Sequence, residues 1–209
     1  MKKKQMEIEW KLQVTDPACW KDIQRYVRSL PEIVGQKEYK MAATYFDTMD
    51  LDLQQAKAAY RVRMENDHYV ATIKAGGQST GGVHRRLEFN RNVTGDQPDL
   101  EVFAEEEELT ELREKVRGQS LVPVVSTRFL RQQVQVMQSG SLVEIALDCG
   151  EISSRGNTEP ILEVELELLE GEENALSELG EILCAKFPLK LEEKSKFYRG
   201  LLLYKQRQC

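Results

Sequence analysis

The stretch Gln5–Val14, QMEIEWKLQV, decides the fold. Ile8, Trp10, Leu12 and Val14 are apolar and alternate with Glu7, Glu9 and Lys11. Side chains on a strand switch faces with a period of two, so this is a β-strand with one apolar and one charged face. The pattern recurs along the chain. Arg61 and Arg63 share a face, as do Arg86 and Glu88, and Lys74 ends the strand ATIK. Glu144, Ala146 and Asp148 form a further set. Glu163, Glu165 and Glu167 line one face of EVELEL, opposite Val164, Leu166 and Leu168.

Two arrangements produce such strands. In one, the sheet is open, helices cover its apolar face and the charged face lies in water. In the other, the sheet closes with its charges inward and its helices outside. Dry, unpaired charges cost several kcal/mol per ion, so a closed sheet of this kind must hold water, metal and a charged ligand. The sorting of charge favours closure. Carboxylates two residues apart on one strand face repel, and their recurrence calls for a cation. Hard divalent ions such as Mg²⁺ and Mn²⁺ take carboxylate and water oxygens. The arginines cluster on other strands, and their planar forks suit phosphate oxygens. Carboxylates for a metal beside arginines for phosphates make up the constellation of metal-assisted phosphoryl chemistry.

The remaining segments fit one α+β domain over residues 1–209. Asp16 reads as an N-cap with Pro17 at the first helical position, and Ile23, Val27 and Leu30 recur at helical spacing. Hairpins are expected at Asn66-Asp67 and Ser139-Gly140. GGQSTGG (76–82) reads as a flexible loop, and EEEELTELREKV (105–116) as a charged helix. EENALSELGEILCAKF reads as a helix with Leu176, Leu179, Ile182 and Leu183 toward the core, and KSKFYRGLLLYKQ as a terminal helix. Tyr45 reads as packing at a strand end, and His68 and His84 as surface or satisfied residues. About eight strands with mostly short links favour antiparallel pairing, and a sheet of that size is able to curl into a barrel.

Composition sets bounds. With 31% charged residues but a net charge of −6, the chain lacks the basic balance of a nucleic-acid surface. Its four cysteines are scattered without C-x-x-C, as expected of reduced thiols in a cytoplasmic protein. The basic start MKKKQMEIEW has no apolar core of a signal peptide, and no apolar run approaches the ~20 residues of a membrane span.

Glu7-x-Glu9-x-Lys11 resembles the ExExK signature of the CYTH superfamily, the triphosphate tunnel metalloenzymes. Further matches follow in that family's order: YFDT (45–48), RVR (61–63), TIK ending at Lys74, HRRLEFN with Arg86 and Glu88, STRFLR with Arg131, EIALDCGEI with Asp148, EVELEL from Glu163, and KSKFYRG with Ser195, Lys196 and Arg199. The resemblance implies an eight-stranded antiparallel β-barrel, open at both ends, with helices packed on the outside. It also implies a divalent-metal-dependent triphosphatase similar to bacterial inorganic triphosphatases. Some of those carry a second, histidine-rich helical domain, CHAD, for which these 209 residues leave no room. By position, Glu7, Glu9, Asp148, Glu163 and Glu165 resemble the metal-binding carboxylates. Arg61, Arg63, Lys74, Arg86, Arg131 and Lys196 resemble the phosphate-gripping cations. Lys11 resembles the lysine that positions or activates the attacking water, and Glu88, Glu144 and Glu167 resemble supporting acids. The expected partner is a small-molecule triphosphate, with Mg²⁺ or Mn²⁺ and with neither nucleic acid nor membrane. The alternatives are a thiamine-triphosphatase, a cyclase making cyclic AMP from ATP, and a non-enzymatic polyphosphate-binding module. The matched motifs hold no aromatic cluster that would read a base.

Overall fold

The alternating segments form strands, and the strands close on themselves. The computed structural model describes residues 5–80 and 83–206. Its strands are β1 (Gln5–Val14), β2 (Ile33–Asp47), β3 (Ala58–Glu65), β4 (His68–Thr80), β5 (Val83–Val93), β6 (Val122–Gln138), β7 (Ser141–Ser154), β8 (Asn157–Glu170) and the short β9 (Leu189–Leu191). Its helices are α1 (Trp20–Val27), α2 (Asp52–Gln55), α3 (Thr110–Lys115), α4 (Asn174–Lys186) and α5 (Lys196–Lys205). The sheet order is β5-β4-β3-β2-β6-β7-β8-β1, and β1 pairs back with β5. The result is a closed eight-stranded antiparallel barrel with helices outside. Short β9 extends the β5 edge of β1, pairing residues 12–14 where β5 pairs residues 5–10.

Apolar faces point outward, where helices cover them. Leu12, Val143, Ile145, Val164 and Leu166 pack with Ile23 and Val27 of α1 and with Leu176, Leu179 and Leu183 of α4. On the other side Tyr60, Val62, Ala71, Ile73 and Phe89 pack with Leu53 of α2 and with Phe103, Leu109 and Val116 around α3. Burying such side chains, each worth about 1.5–3 kcal/mol, holds the charged faces inward. A third cluster lies inside one end of the barrel. There Phe197 and Leu201 of α5 meet Tyr45, Phe129, Ile152 and Ile161. The Tyr45 and Phe197 rings stack at 5.0 Å. A Cβ on Gly200 would lie 2.2 Å from Val125, so the absent side chain lets α5 seat this deeply. An opening at both ends was expected, and α5 seats at one of those ends.

Local signals behave as their chemistry predicts. The Asp16 side chain accepts a hydrogen bond from Ala18 N, and Ser195 caps α5 by accepting from Tyr198 N. Ser139 (φ 50°) and Gly140 (φ 77°) make the two-residue turn between β6 and β7. Three expectations change. Residues 76–80 are strand rather than loop, with a bulge between Ala75 and Gln78; Gly81 and Gly82 lie outside the described residues, as do Cys209 and the His84 side chain. Residues 105–116 form a short turn and the six-residue α3 rather than one long helix. Ile182 is 43% exposed, because Ala175 and Gly180 take the core side of α4 that it was expected to share. Among the described residues no helix is long and apolar enough to cross a membrane.

Candidate active site

The inner faces enclose a cavity of about 910 Å³, within the usual range for a small-molecule site. Every residue singled out in the sequence for a role lines it, except Asp148 and Glu163, which are fully buried in its wall.

Strand register arranges the acidic wall in rows. Asp148 and Glu163 are cross-strand partners on β7 and β8. In the next row Ala146, Glu165 and Lys11 lie side by side on β7, β8 and β1, and in the next Glu144, Glu167 and Glu9 do so. The period-two pleat puts every member of a row on the inner face. Glu7 continues β1 beyond the last row, opposite Arg86 of β5.

Cations fill the rows nearest α5. Arg131 donates to Asp148 through two nitrogens at 2.8 and 2.7 Å, and to Glu165 at 2.5 Å. Lys196 lies 2.8 Å from Asp148, 2.9 Å from Glu165 and in contact with Glu163. Arg199 donates to Glu163 (3.0 Å), Glu159 (2.6 Å) and the Pro160 carbonyl (2.6 Å). Lys11 Nζ is 2.7 Å from Glu165 and 3.6 Å from Glu9. Burial alone would lower the Lys11 pKa, but Glu165 and Glu9 outweigh it and raise it above the ordinary lysine range. Lys11 therefore stays charged. Burial likewise opposes ionisation of Glu9, yet Lys11, with Lys74 and Arg86 behind it, brings its pKa down to about 2.

Further from α5 the supply of cations falls short. Glu7 contacts Lys74 (2.6 Å) and Arg86 (3.3 Å), and Lys74 is shared with Glu88 (2.8 Å). Burial, with the charges of Glu9 and Glu88, still pushes the Glu7 pKa up to about 7. One Glu7 oxygen is buried without a hydrogen bond. Among the described residues Glu144 accepts only from Gln135, at 3.1 Å. Glu167 has no hydrogen bond or ion pair among the described residues, and burial together with Glu7 and Glu144 pushes its pKa up to about 8.

The cations of β3 are the least committed. Arg61 donates to the Tyr45 hydroxyl at 3.2 Å, meets no carboxylate within ion-pair distance among the described residues, and keeps a buried Nε without a partner. Among the described residues Arg63 pairs only with Glu65 of its own strand. Tyr45, expected as packing, lines the cavity as well as stacking on Phe197. Tyr39, Met41 and Phe129 also line it and were not singled out. For Tyr39 and Met41 the signal was the alternation Tyr39, Met41, Ala43, Tyr45, which carries no charge to draw notice; for Phe129 it was its place two residues before Arg131 on β6. His68 is exposed, as expected.

Among the described residues one group of carboxylates has its oxygens close enough together to share a cation, and a second row faces the lumen with its oxygens further apart. Oxygens of Asp148, Glu163 and Glu165 lie within 4.8 Å of one another, but Arg131, Lys196 and Arg199 already hold them. The row Glu144, Glu167 and Glu9, with Glu7 beside it, sets like charges directly opposite one another across strands with too few cations, an arrangement that a bound cation relieves. Its donors are all oxygens, which fits a hard divalent ion.

The barrel is closed, and its lumen sets arginines and lysines against carboxylates. The chain belongs to the CYTH domain family, which matches residues 5–201. It is 29% identical over 202 residues to an inorganic triphosphatase of Haemophilus influenzae, a match covering 94% of this chain. The chain spans about half the length of that relative, 54%. Among solved structures it is similar to a candidate adenylyl cyclase from Hippeastrum described as having a dominant triphosphatase activity (23% identity, TM-score 0.60, covering 92% of this chain and 93% of that one). It is also similar to a candidate adenylate cyclase from Bacillus halodurans (20% identity, TM-score 0.60, 94% and 97%).

Proposed function

We propose that the protein hydrolyses the terminal phosphoryl group of a small triphosphate, inorganic tripolyphosphate before ATP or thiamine triphosphate, with Mg²⁺ or Mn²⁺. The observation that carries this reading is the division of the lumen: a cation-poor row of carboxylates on β7, β8 and β1, and arginines on β3 without partners on that wall. A pure anion binder gains nothing from carboxylates turned toward its ligand. The related inorganic triphosphatase supports the same reading.

In this reading Glu7, Glu9, Glu144 and Glu167 hold the divalent ion. Asp148 and Glu163, buried and saturated with cations, carry the anchoring of Arg131, Lys196 and α5. When bound, the ion neutralises phosphate oxygens and orients the transferred group. Arg61 and Arg63 grip the phosphates, with Arg86, Lys74 and Arg131 adding positive charge around them. Lys11 cannot take a proton from water because it is already charged. It acts by positioning the water and by stabilising charge that develops during in-line attack. Glu88 keeps Lys74 in place. The whole chain acts as one domain in the cytoplasm on a small molecule, without nucleic acid or membrane.

Phosphate release from tripolyphosphate, ATP and thiamine triphosphate, with and without Mg²⁺ or Mn²⁺, tests the proposal. Release from none of them would overturn it. Cyclic AMP as the main product from ATP would replace it with a cyclase. Lys11→Ala should lower kcat by about 10²–10³-fold with little change in KM. Near wild-type turnover at saturating metal and substrate would remove Lys11 from the mechanism.

A further inference from the structure

Lys57 sits where a lysine is least expected. It follows α2 at the position where a helix ends in the left-handed region, with φ 56°, and its N–H bonds to the Gln54 carbonyl. Glycine adopts that conformation without strain; a residue with a Cβ does not. The β3–β4 ladder begins at Ala58 opposite Ala75, so one step before it Lys57 stands opposite Gly76. Gly76 is also left-handed (φ 63°), and a Cβ built on it would meet nothing within 4 Å. Both residues are exposed, and both line the cavity together with Gln54, Ser195 and the exposed Tyr198. The lumen therefore opens to solvent at a rim between α5 and the start of β3, beside the end where α5 seats.

Lys57 immediately precedes β3 and lines the same cavity as Arg61 and Arg63 of that strand. It lies about 13 Å before Arg61 at ~3.3 Å per residue. Its ammonium has no hydrogen bond or ion pair among the described residues, whereas most cations inside the lumen are shared with carboxylates. A strained, unpaired lysine on the rim, leading to two arginines committed to no acidic wall, has the makings of an anion guide.

We propose that Lys57 is the entry cation of the lumen, a specificity-determining residue that draws the triphosphate in through this rim and holds its trailing end, without touching the phosphoryl group being transferred. This rests on the triphosphate reading of the site. Steady-state kinetics of the full chain with tripolyphosphate and Mg²⁺, over a range of ionic strength, test it in K57R, K57Q, K57E and K57G. K57R should match the wild type. In K57Q and K57G, KM should rise about two- to threefold, and in K57E about tenfold at low salt, with kcat little changed. The dependence of KM on salt should flatten in K57Q. K57G relieves the backbone strain, so a KM that follows K57Q shows that charge rather than geometry is responsible. Wild-type KM and salt dependence in both K57Q and K57E would overturn the proposal, as would a loss confined to kcat. A wild-type protein that releases no phosphate would instead strike the proposed function. The same order of variants would then be read from tripolyphosphate affinity by calorimetry, and equal affinities would overturn the inference there too.

Discussion

The acidic wall of the lumen has two ends that differ in their supply of cations. Next to α5, Asp148, Glu163 and Glu165 are met by Lys11, Arg131, Lys196 and Arg199. Further along, Glu144 and Glu167 meet none among the described residues, and Glu7 has Lys74 and Arg86 but shares Lys74 with Glu88 and Arg86 with Glu9. Both ends are rich in buried carboxylate, so acidity alone does not mark a metal site. The shortage of positive charge does, because only there does a bound cation replace a repulsion rather than a salt bridge.

The contrast breaks first at Asp148. Asp148→Asn takes one charge from a buried network and leaves Arg131 and Lys196 under-neutralised. Breaking such a pair costs about 3–5 kcal/mol. Urea unfolding of the metal-free protein measures this directly, and a cost below about 1 kcal/mol would mean that the end near α5 is no anchor.

At the other end the same kind of change should act in the opposite sense. Glu167→Gln removes a like charge from a row that lacks cations, so metal-free stability should hold or rise slightly. The divalent concentration needed for half-maximal phosphate release should rise about 10–100-fold. If instead Glu167→Gln destabilises the metal-free protein as Asp148→Asn does, the two ends are alike and the assignment of the metal to this row fails.

The sequence made much of this legible, and the reasons are particular. Alternation in Gln5–Val14 and in EVELEL showed which side chains share a face, and charge sorting showed that the faces turn inward. Alternation does not reveal register. Only when β7, β8 and β1 are aligned do Glu144 and Glu167 fall into one row with Glu9. Nor does it reveal how deeply α5 seats. That depends on Gly200 meeting Val125 and on Arg199 reaching Glu163 across the barrel end, contacts between segments far apart in the chain. Arg199 stood within a matched motif without a role, because nothing local distinguishes a lysine or arginine aimed at phosphate from one aimed at a buried carboxylate.

The last expected effect is the pH dependence of stability, for which carboxylates with raised pKa lie at both ends, Glu163 beside α5 and Glu7 and Glu167 further along. Glu7 and Glu167 have pKa values raised to about 7 and about 8, against ~4.3 in an unfolded chain. Below about pH 4 both states are protonated and these groups contribute nothing to the balance. Between there and pH 8 the unfolded chain gives up protons that the folded protein keeps, so stability falls as pH rises across this window. Glu9 and Glu165, whose pKa values are lowered, act in the opposite sense but only below the ordinary carboxylate range. They cannot offset the trend at neutral pH. The one histidine with a described side chain, His68, is exposed. In chelator, then, the protein should be more stable at pH 5.5 than at pH 8, with a Tm higher by several degrees or more. Saturating Mg²⁺ or Mn²⁺ should shrink the difference, since the ion takes the place of the protons. Replacing both Glu7 and Glu167 by Gln should shrink the difference in chelator, leaving the part that Glu163 contributes. A Tm that stays flat or climbs from pH 5.5 to pH 8 without metal would show that the row is already neutralised, and would move the metal to the Asp148, Glu163 and Glu165 cluster.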